Sequence, residues 1–236
     1  PANKASTNKV QGESSAGASA SAKLTYHPSF DARSTALSWS SVEIYQSLGI
    51  FDALNQHAEA IKQIHVSDSG HAGSTLLSPS DHGLESFGCV VENQWLGAVL
   101  LDKLASLQAV ELVDGASVAN VTPLKHGVSV DVIEVPENAA AAAASELQAQ
   151  PKTVSIAANL LVVADGANSG LRKQLGITAQ THQYQQQAIV ANVQTALPVN
   201  GLAFERFTQD GAVALLPLPD LIDTKHRTAL VWTLPT

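Results

Sequence analysis

The stretch Leu160–Ile177, LLVVADGANSGLRKQLGI, decides the fold. It opens with an unbroken apolar run, Leu160 to Ala164, of a length that suits a strand buried on both faces. Asp165-Gly166 breaks the run. Asn168 and Ser169 are both good N-cap residues, and Leu171, Leu175 and Ile177 with Arg172 and Lys173 make one short amphipathic helix. Gly176 suits the position just past that helix. The pattern predicts strand, tight turn and helix, with a carboxylate at the carboxyl end of a buried strand. Open α/β sheets bind their ligands at such places.

An aspartate there has two readings. Its carboxylate accepts hydrogen bonds from ribose or ribityl hydroxyls, while nearby helix N–H groups suit a phosphate. Alternatively Asp-Gly only closes a turn. The longer string Ala164–Arg172, ADGANSGLR, resembles a segment of the flavin-dependent aromatic hydroxylases in which an Asp-Gly pair touches FAD and the pyrophosphate of NAD(P)H. That resemblance implies Asp165 and Gly166 as cofactor contacts.

Composition bounds the function classes. The 236 residues can bury a sizeable core, and 45% apolar content is that of a globular chain. No run approaches the roughly 20 apolar residues that cross a bilayer, and no signal sequence opens the chain. A net charge of −8 argues against nucleic acid as a partner. One cysteine, Cys89, excludes an internal disulfide, and its apolar flanks read as a buried strand. The chain holds no methionine and no GxGxxG or GxxxxGK[ST] string, which a nucleotide-binding α/β protein carries in its first strand–helix turn. The sequence therefore reads as a fragment, and the family resemblance implies that it is the middle part of a longer protein.

In chain order, Pro1–Lys23 is rich in small and polar residues and is expected to be mobile, with order beginning near Leu24–Phe30. Ser34–Leu48 and Phe51–Ala58 read as helices, and Ile61–Ser67 as a half-buried strand. Arg33 precedes the first helix; it either pairs with Asp31 or, by the family resemblance, reaches FAD. Ile64–Gly73, IHVSDSGHAG, holds His65, Asp68 and His71 without the spacing of a metal site, so no metal is expected. The string resembles the ubiquinone-pathway branch of the same family. It either places His65 and His71 at an aromatic substrate pocket or shapes a hairpin through the turn SDSG.

Phe87–Val91 reads as a strand, and Asn93 as the N-cap of a helix through Leu107. Relatives carry an arginine or glutamine near the start of that helix to meet the flavin. Aligned on Gly97, those places hold Ala98 and Val99 here, and Gln94 is the one substitute. Glu111–Val113, Ser117–Leu124 and Gly127–Val135 read as strands, and the alanine-rich insertion Pro136–Lys152 as a frayed or disordered tip. After Thr153–Ala157, four further strands follow without helices: Gln187–Thr195, Leu202–Thr208, Gly211–Leu216 and Thr228–Leu234. The string AFERFTQDGAVALLPL resembles the ubiquinone-pathway branch again. Glu205 and Arg206, adjacent in a strand, face opposite sides, so one can enter a pocket while the other meets solvent. Pro217 and Pro219 mark the end of a strand and a rigid loop, which the resemblance puts near the flavin ring.

The expected fold is α/β, passing to α+β in its second part. A Rossmann-like FAD/NAD(P)-binding domain, incomplete here, occupies 24–60 and 93–177. An antiparallel substrate sheet occupies 61–92 and 178–236. The resemblance implies an FAD-dependent monooxygenase reduced by NAD(P)H, in which O₂ forms a flavin hydroperoxide that hydroxylates a polyprenylated methoxyphenol. It implies Arg33, Asp165 and Gly166 at the cofactor and His65, His71, Arg206 and Pro217 at the substrate, with no catalytic triad. It further implies peripheral contact with the inner membrane or membership of a ubiquinone-biosynthesis complex, while the single cysteine suits a cytoplasmic protein. The competing expectations are a non-catalytic binding module that no longer holds FAD and a related flavin hydroxylase with another aromatic substrate.

Overall fold

The computed structural model of the chain describes residues 31–134 and 153–236. The expectations for Pro1–Lys23, for the onset of order at Leu24–Phe30 and for the insertion Pro136–Lys152 lie outside the described residues.

Ser34–Ser38 forms strand β1 rather than the start of a helix. Helix α1, Trp39–Ser47, begins only where the Ser38 hydroxyl accepts the Ser41 N–H. Helix α2, Phe51–Asn55, is shorter than expected and gives way to β2, Ala58–Ala60. Both β1 and β2 pair antiparallel with β5, Gly88–Glu92, which is the middle strand of a three-stranded sheet. That pairing explains the shortened helices, because β5 supplies backbone partners on both of its edges. Helix α3 follows directly, Asn93–Ser106, with Glu92 in the cap position rather than Asn93.

Alternation along β5 sets the layering. Cys89 and Val91 face the three helices, in a core with Leu37, Val42, Ile50, Leu54, Trp95 and Val99. Val90 faces the other way, into a second core with Ile61, Ala203, Leu218 and Ala229. Glu92, two residues on from Val90, shares that second face. Cys89 is thus a packing residue, and burial pushes its thiol up to about 11.

The second core is closed by a six-stranded sheet. Its strands are β3, Gln63–Asp68; β4, Ser74–Leu77; β9, Gln186–Gln194; β10, Leu202–Thr208; β11, Gly211–Pro217; and β12, Arg227–Pro235. The order is β4-β3-β10-β11-β12-β9. Every neighbouring pair is antiparallel except β3 with β10, so the sheet is mixed rather than wholly antiparallel. Within the stretch 61–92, β3 and β4 join this sheet, whereas β5 belongs to the first.

A third sheet, in the order β6-β7-β8, consists of Ala116–Leu124, Gly127–Glu134 and Thr153–Ala158. Glu111–Val113 is not a strand. The larger correction concerns Leu160–Ala164. This run pairs with no strand among the described residues, and Leu160 and Val162 are 77% and 75% exposed. Leu161 packs against the core of β6 and β7, together with Leu171 and Leu175. The apolar run therefore buries one side only, because no second layer covers the other among the described residues. The helix after it is real but brief: α4, Gly170–Gln174. Ser169 caps it by accepting the Arg172 N–H at 3.0 Å. It ends in a double bond pattern, Gly176 N–H to the Lys173 carbonyl and Ile177 N–H to the Arg172 carbonyl, around the left-handed Gly176.

Gly88 is required where β5 meets β1. Its φ is +116°, and a Cβ built there would lie 1.9 Å from the Leu37 carbonyl oxygen. Gly88→Ala is expected to destabilise the fold by at least about 2 kcal/mol. A urea unfolding midpoint unchanged from the parent would contradict this placement of β1.

Candidate cofactor and substrate site

Arg33 stands at the head of β1, not at a helix entry. Its guanidinium is exposed and forks onto Asp31, with Nη2 to Oδ2 at 2.8 Å and Nε to Oδ1 at 3.0 Å. The side chain thus makes the local ion pair that the sequence left open as one of two readings. Hydrogen bonds from Arg33, joined by one from Asn93, pull the Asp31 carboxyl down to about 2. The backbone here is held more firmly than the side chain. Asn93 N–H donates to the Arg33 carbonyl at 2.9 Å. The Asn93 amide itself accepts from the Thr35 hydroxyl and donates to Asp31. Asn93 therefore ties down the Asp31–Thr35 segment instead of capping a helix.

Asp165 lies in the connection that enters α4, exposed, and not at the end of a buried strand. A hydrogen bond from the Ser169 side chain is the main reason its carboxyl is held below the ordinary carboxylate range, with the Leu171 backbone and Arg172 charge adding to it. The turn reading is therefore satisfied. A carboxylate offers about four acceptor positions, so capacity for a further donor remains. Gly166 follows with φ +87° and open space where a Cβ would stand. Together with Val163, Ser169, Arg172, Leu175 and Ile177 these two residues line a cavity of about 230 Å³. An ionised carboxylate next to an unobstructed backbone fits the hydroxyls and pyrophosphate of a dinucleotide such as FAD.

The four substrate candidates are divided. His65, on β3, packs its ring 5.8 Å from that of Phe204 on β10. Arg206, next but one along β10, is exposed and donates to the Ser67 hydroxyl at 3.3 Å. Register puts His65 opposite Phe204 and Ser67 opposite Arg206, so both candidates share one face of the six-stranded sheet. Of the adjacent pair, Arg206 is the residue that meets solvent and Glu205 the half-buried one. His71 lies in the β3–β4 turn, its side chain 81% exposed and paired with Asp68 at 3.0 Å. Asp68 and His71 thus shape a hairpin, and no group of three metal-ligating side chains occurs among the described residues. Pro217 sits at the opposite end of β11, fully buried. It lines a separate cavity of about 250 Å³ with Glu59, Asn200, Asp220, His226 and Arg227.

Sequence reasoning missed the most buried polar cluster. Glu92 and Arg227, each 7% exposed, form an ion pair of 2.7 Å between β5 and β12. Arg227 Nη1 also donates to the Pro219 carbonyl at 3.0 Å, which fixes the loop after Pro217. Asn192 on β9 donates to Glu92 at 3.2 Å and to the Ala32 carbonyl at 2.8 Å. Glu92 follows three apolar residues, and that position was the available signal: a carboxylate continuing a buried strand needs a cationic partner. Ala98 and Val99, the positions that the family resemblance aligns with expected flavin contacts, are buried in the fold, and Val99 is part of the helical core.

A family model for the FAD binding domain matches residues 21–235, and the chain belongs to that family. Ubiquinone biosynthesis monooxygenase COQ6 of Caenorhabditis elegans, a mitochondrial protein, is 29% identical over 207 residues, covering 86% of this chain and 41% of that protein. Ubiquinone hydroxylase UbiL of Rhodospirillum rubrum is 29% identical over 204 residues, covering 86% of this chain and 42% of that protein. The chain therefore spans about two-fifths of the length of these relatives. Among solved structures, Klebsiella pneumoniae HpxO complexed with FAD and uric acid superposes with TM-score 0.64 at 18% identity, over 89% of this chain and 49% of that one. The p-nitrophenol 4-monooxygenase PnpA from Pseudomonas putida gives 0.65 at 13%, over 88% and 49%. These two show the shared fold, a mixed α/β architecture with mainly antiparallel sheets. FAD is the cofactor of the family.

The Arg33–Asp31 fork carries its own test. A carboxyl depressed in the folded chain stabilises it above the unfolded value, and that contribution is lost as pH falls through about 2. In Arg33→Gln the Asp31 carboxyl resonance is expected to titrate at higher pH, moved toward the ordinary carboxylate range, with the residue-33 N–H and Asn93 still donating to it. A midpoint unmoved by the substitution would refute the ion pair.

Proposed function

We propose that this member of the FAD binding domain family is part of a flavin-dependent monooxygenase that hydroxylates a polyprenylated methoxyphenol on the way to ubiquinone. In substrate class it would stand nearest the 2-octaprenyl-6-methoxyphenol hydroxylases. One observation carries the reading: relatives named as a ubiquinone biosynthesis monooxygenase and a ubiquinone hydroxylase each match across 86% of the chain. Support from the residues comes from Asp165 and Gly166, whose ionised carboxylate and open backbone suit a dinucleotide.

Bound FAD would supply the redox chemistry, with NAD(P)H as electron source and O₂ as oxidant, so that one oxygen atom enters the ring and the other leaves as water. The protein's residues need to bind, orient and exclude water, not to attack. Asp165 accepts hydroxyls of the cofactor, and Gly166 lets its phosphates approach the backbone. Arg33 turns its guanidinium from Asp31 to an anionic group of the cofactor, an exchange open to an exposed fork. Segments 24–60 and 93–177 serve the cofactor in this reading, and 61–92 with 178–236 the substrate. Pro217 gives the substrate side a rigid wall. His65, Arg206 and His71 belong to one end of the same sheet, where they guide the ring or its tail. No helix among the described residues is long and apolar enough to cross a membrane. Access to a prenylated lipid then calls for peripheral contact with the inner membrane from the cytoplasmic side, or for a ubiquinone-biosynthesis protein complex.

The test is a product assay on the chain supplied with FAD, NADH or NADPH, O₂ and a prenylated methoxyphenol. The expected outcome is a hydroxylated ring, identified by mass spectrometry. Nucleotide oxidation that yields only hydrogen peroxide would overturn the substrate assignment. A folded chain that takes up no flavin would leave a non-catalytic binding module in its place.

A further inference from the structure

Asn192 has a feature that the cofactor reading does not use. It lies half-buried on β9, opposite Ala229 of β12, yet all of its side-chain bonds go to distant segments. Its Oδ1 accepts the Ser34 hydroxyl at 3.0 Å, and its Nδ2 donates to the Ala32 carbonyl at 2.8 Å and to Glu92 Oε1 at 3.2 Å. The orientation of the amide is fixed by chemistry, since a carbonyl and a carboxylate can only accept. The two residues it grips in the first layer, Ala32 and Ser34, are those on either side of Arg33. The Arg33 carbonyl is held in turn by Asn93 N–H at 2.9 Å. The segment around this exposed arginine is thus held at three successive residues: through the backbone carbonyls of Ala32 and Arg33 and through the Ser34 hydroxyl, with Asn192 supplying the first and third contacts.

We propose that Asn192 is a positioning residue: its amide, reaching from the substrate layer, holds the Ala32–Ser34 segment by the Ala32 carbonyl and the Ser34 hydroxyl so that Arg33 is presented to an anionic group of the cofactor. The inference rests on the flavin reading for the identity of that group. The clamp itself rests only on the hydrogen bonds. A single amide joining β9, the head of β1 and the end of β5 also means that displacement of the substrate layer is passed to Arg33 directly. Precise presentation of a charged group needs its supporting contacts locked in this way.

Two variants separate this role from general stability. Asn192→Ala removes all three bonds. Asn192→Asp keeps the shape and the Ser34 bond, but turns both donated bonds into repulsions against the Ala32 carbonyl and Glu92. Hydrogen exchange at the amides of residues 32–35 and at Asn93 is read first, on the chain without added ligand. Both variants are expected to speed exchange there about tenfold or more, while the amides of β10 and β11 keep their protection. FAD affinity is then measured in both variants and in the Arg33→Ala background. Asn192→Ala should weaken FAD about tenfold when Arg33 is present and have little further effect when it is absent. Unchanged exchange at residues 32–35, protection lost evenly across β9–β12, or the same loss of affinity with and without Arg33 would each overturn the proposal. Should the parent chain bind no FAD, the cofactor reading fails separately, and the exchange pattern still decides whether Asn192 clamps Arg33.

Discussion

The buried ion pair between Glu92 and Arg227 is the constraint on which the two main layers depend. Two charges that are almost fully removed from water demand close pairing and further hydrogen bonds, which Pro219 and Asn192 provide. Apolar contacts between Val90, Ala203 and Ala229 tolerate small slides, because burial is roughly proportional to area and has no direction. A carboxylate on a guanidinium does not. The pair therefore selects one placement of β5 over β12, and with it the placement of everything those strands carry. Next to Arg227, the Thr228 hydroxyl is buried with no hydrogen-bond partner among the described residues. The junction thus keeps one polar group at a cost.

Candidate residues of both layers hang from this junction. On one side Glu92 leads into α3, whose first residue, Asn93, binds the backbone of Arg33. On the other side Arg227 holds the Pro219 carbonyl and so the loop that follows Pro217. The cofactor candidate and the substrate candidate on these elements are therefore positioned by the same few buried atoms. Asp165 and Gly166 belong to another neighbourhood, where α4 packs its leucines on the β6–β7–β8 sheet. Their environment is made locally, by Ser169 and the first turn of α4.

The sequence was most legible where period and punctuation agreed. The strands β9 to β12, the hairpin through SDSG, the buried Cys89 and the cap and stop of α4 all follow from alternation, turn residues and N-cap chemistry. It misled where tertiary pairing overrode local pattern. Ser34–Ser38 reads as helix by its apolar spacing, but β5 offers it an edge, and Ser38 delays the helix by one turn. Leu160–Ala164 reads as a doubly buried strand, yet an apolar run cannot announce whether a neighbour will cover it. Glu92, Asn192 and Arg227 were not legible as a cluster at all. They are separated by more than 30 residues in every pair, and only the stacking of two sheets brings them together. Of the site residues, Arg33 and Asp165 were picked out by resemblance; the Asp31 pairing of Arg33 was one of two readings the sequence left open, while the Ser169 bond to Asp165 came from the structure.

The most direct test of this account is a double-mutant cycle on the junction. Unfolding free energies would be measured for the parent, Glu92→Gln, Arg227→Met and the double variant. Each single change strands a buried charge and is expected to cost about 3–5 kcal/mol. The double variant leaves neither charge alone, so it should recover much of that loss, giving a coupling energy on the order of 2–3 kcal/mol. Strictly additive losses would mean that Glu92 and Arg227 do not depend on each other, and that something other than this pair sets the two layers in register.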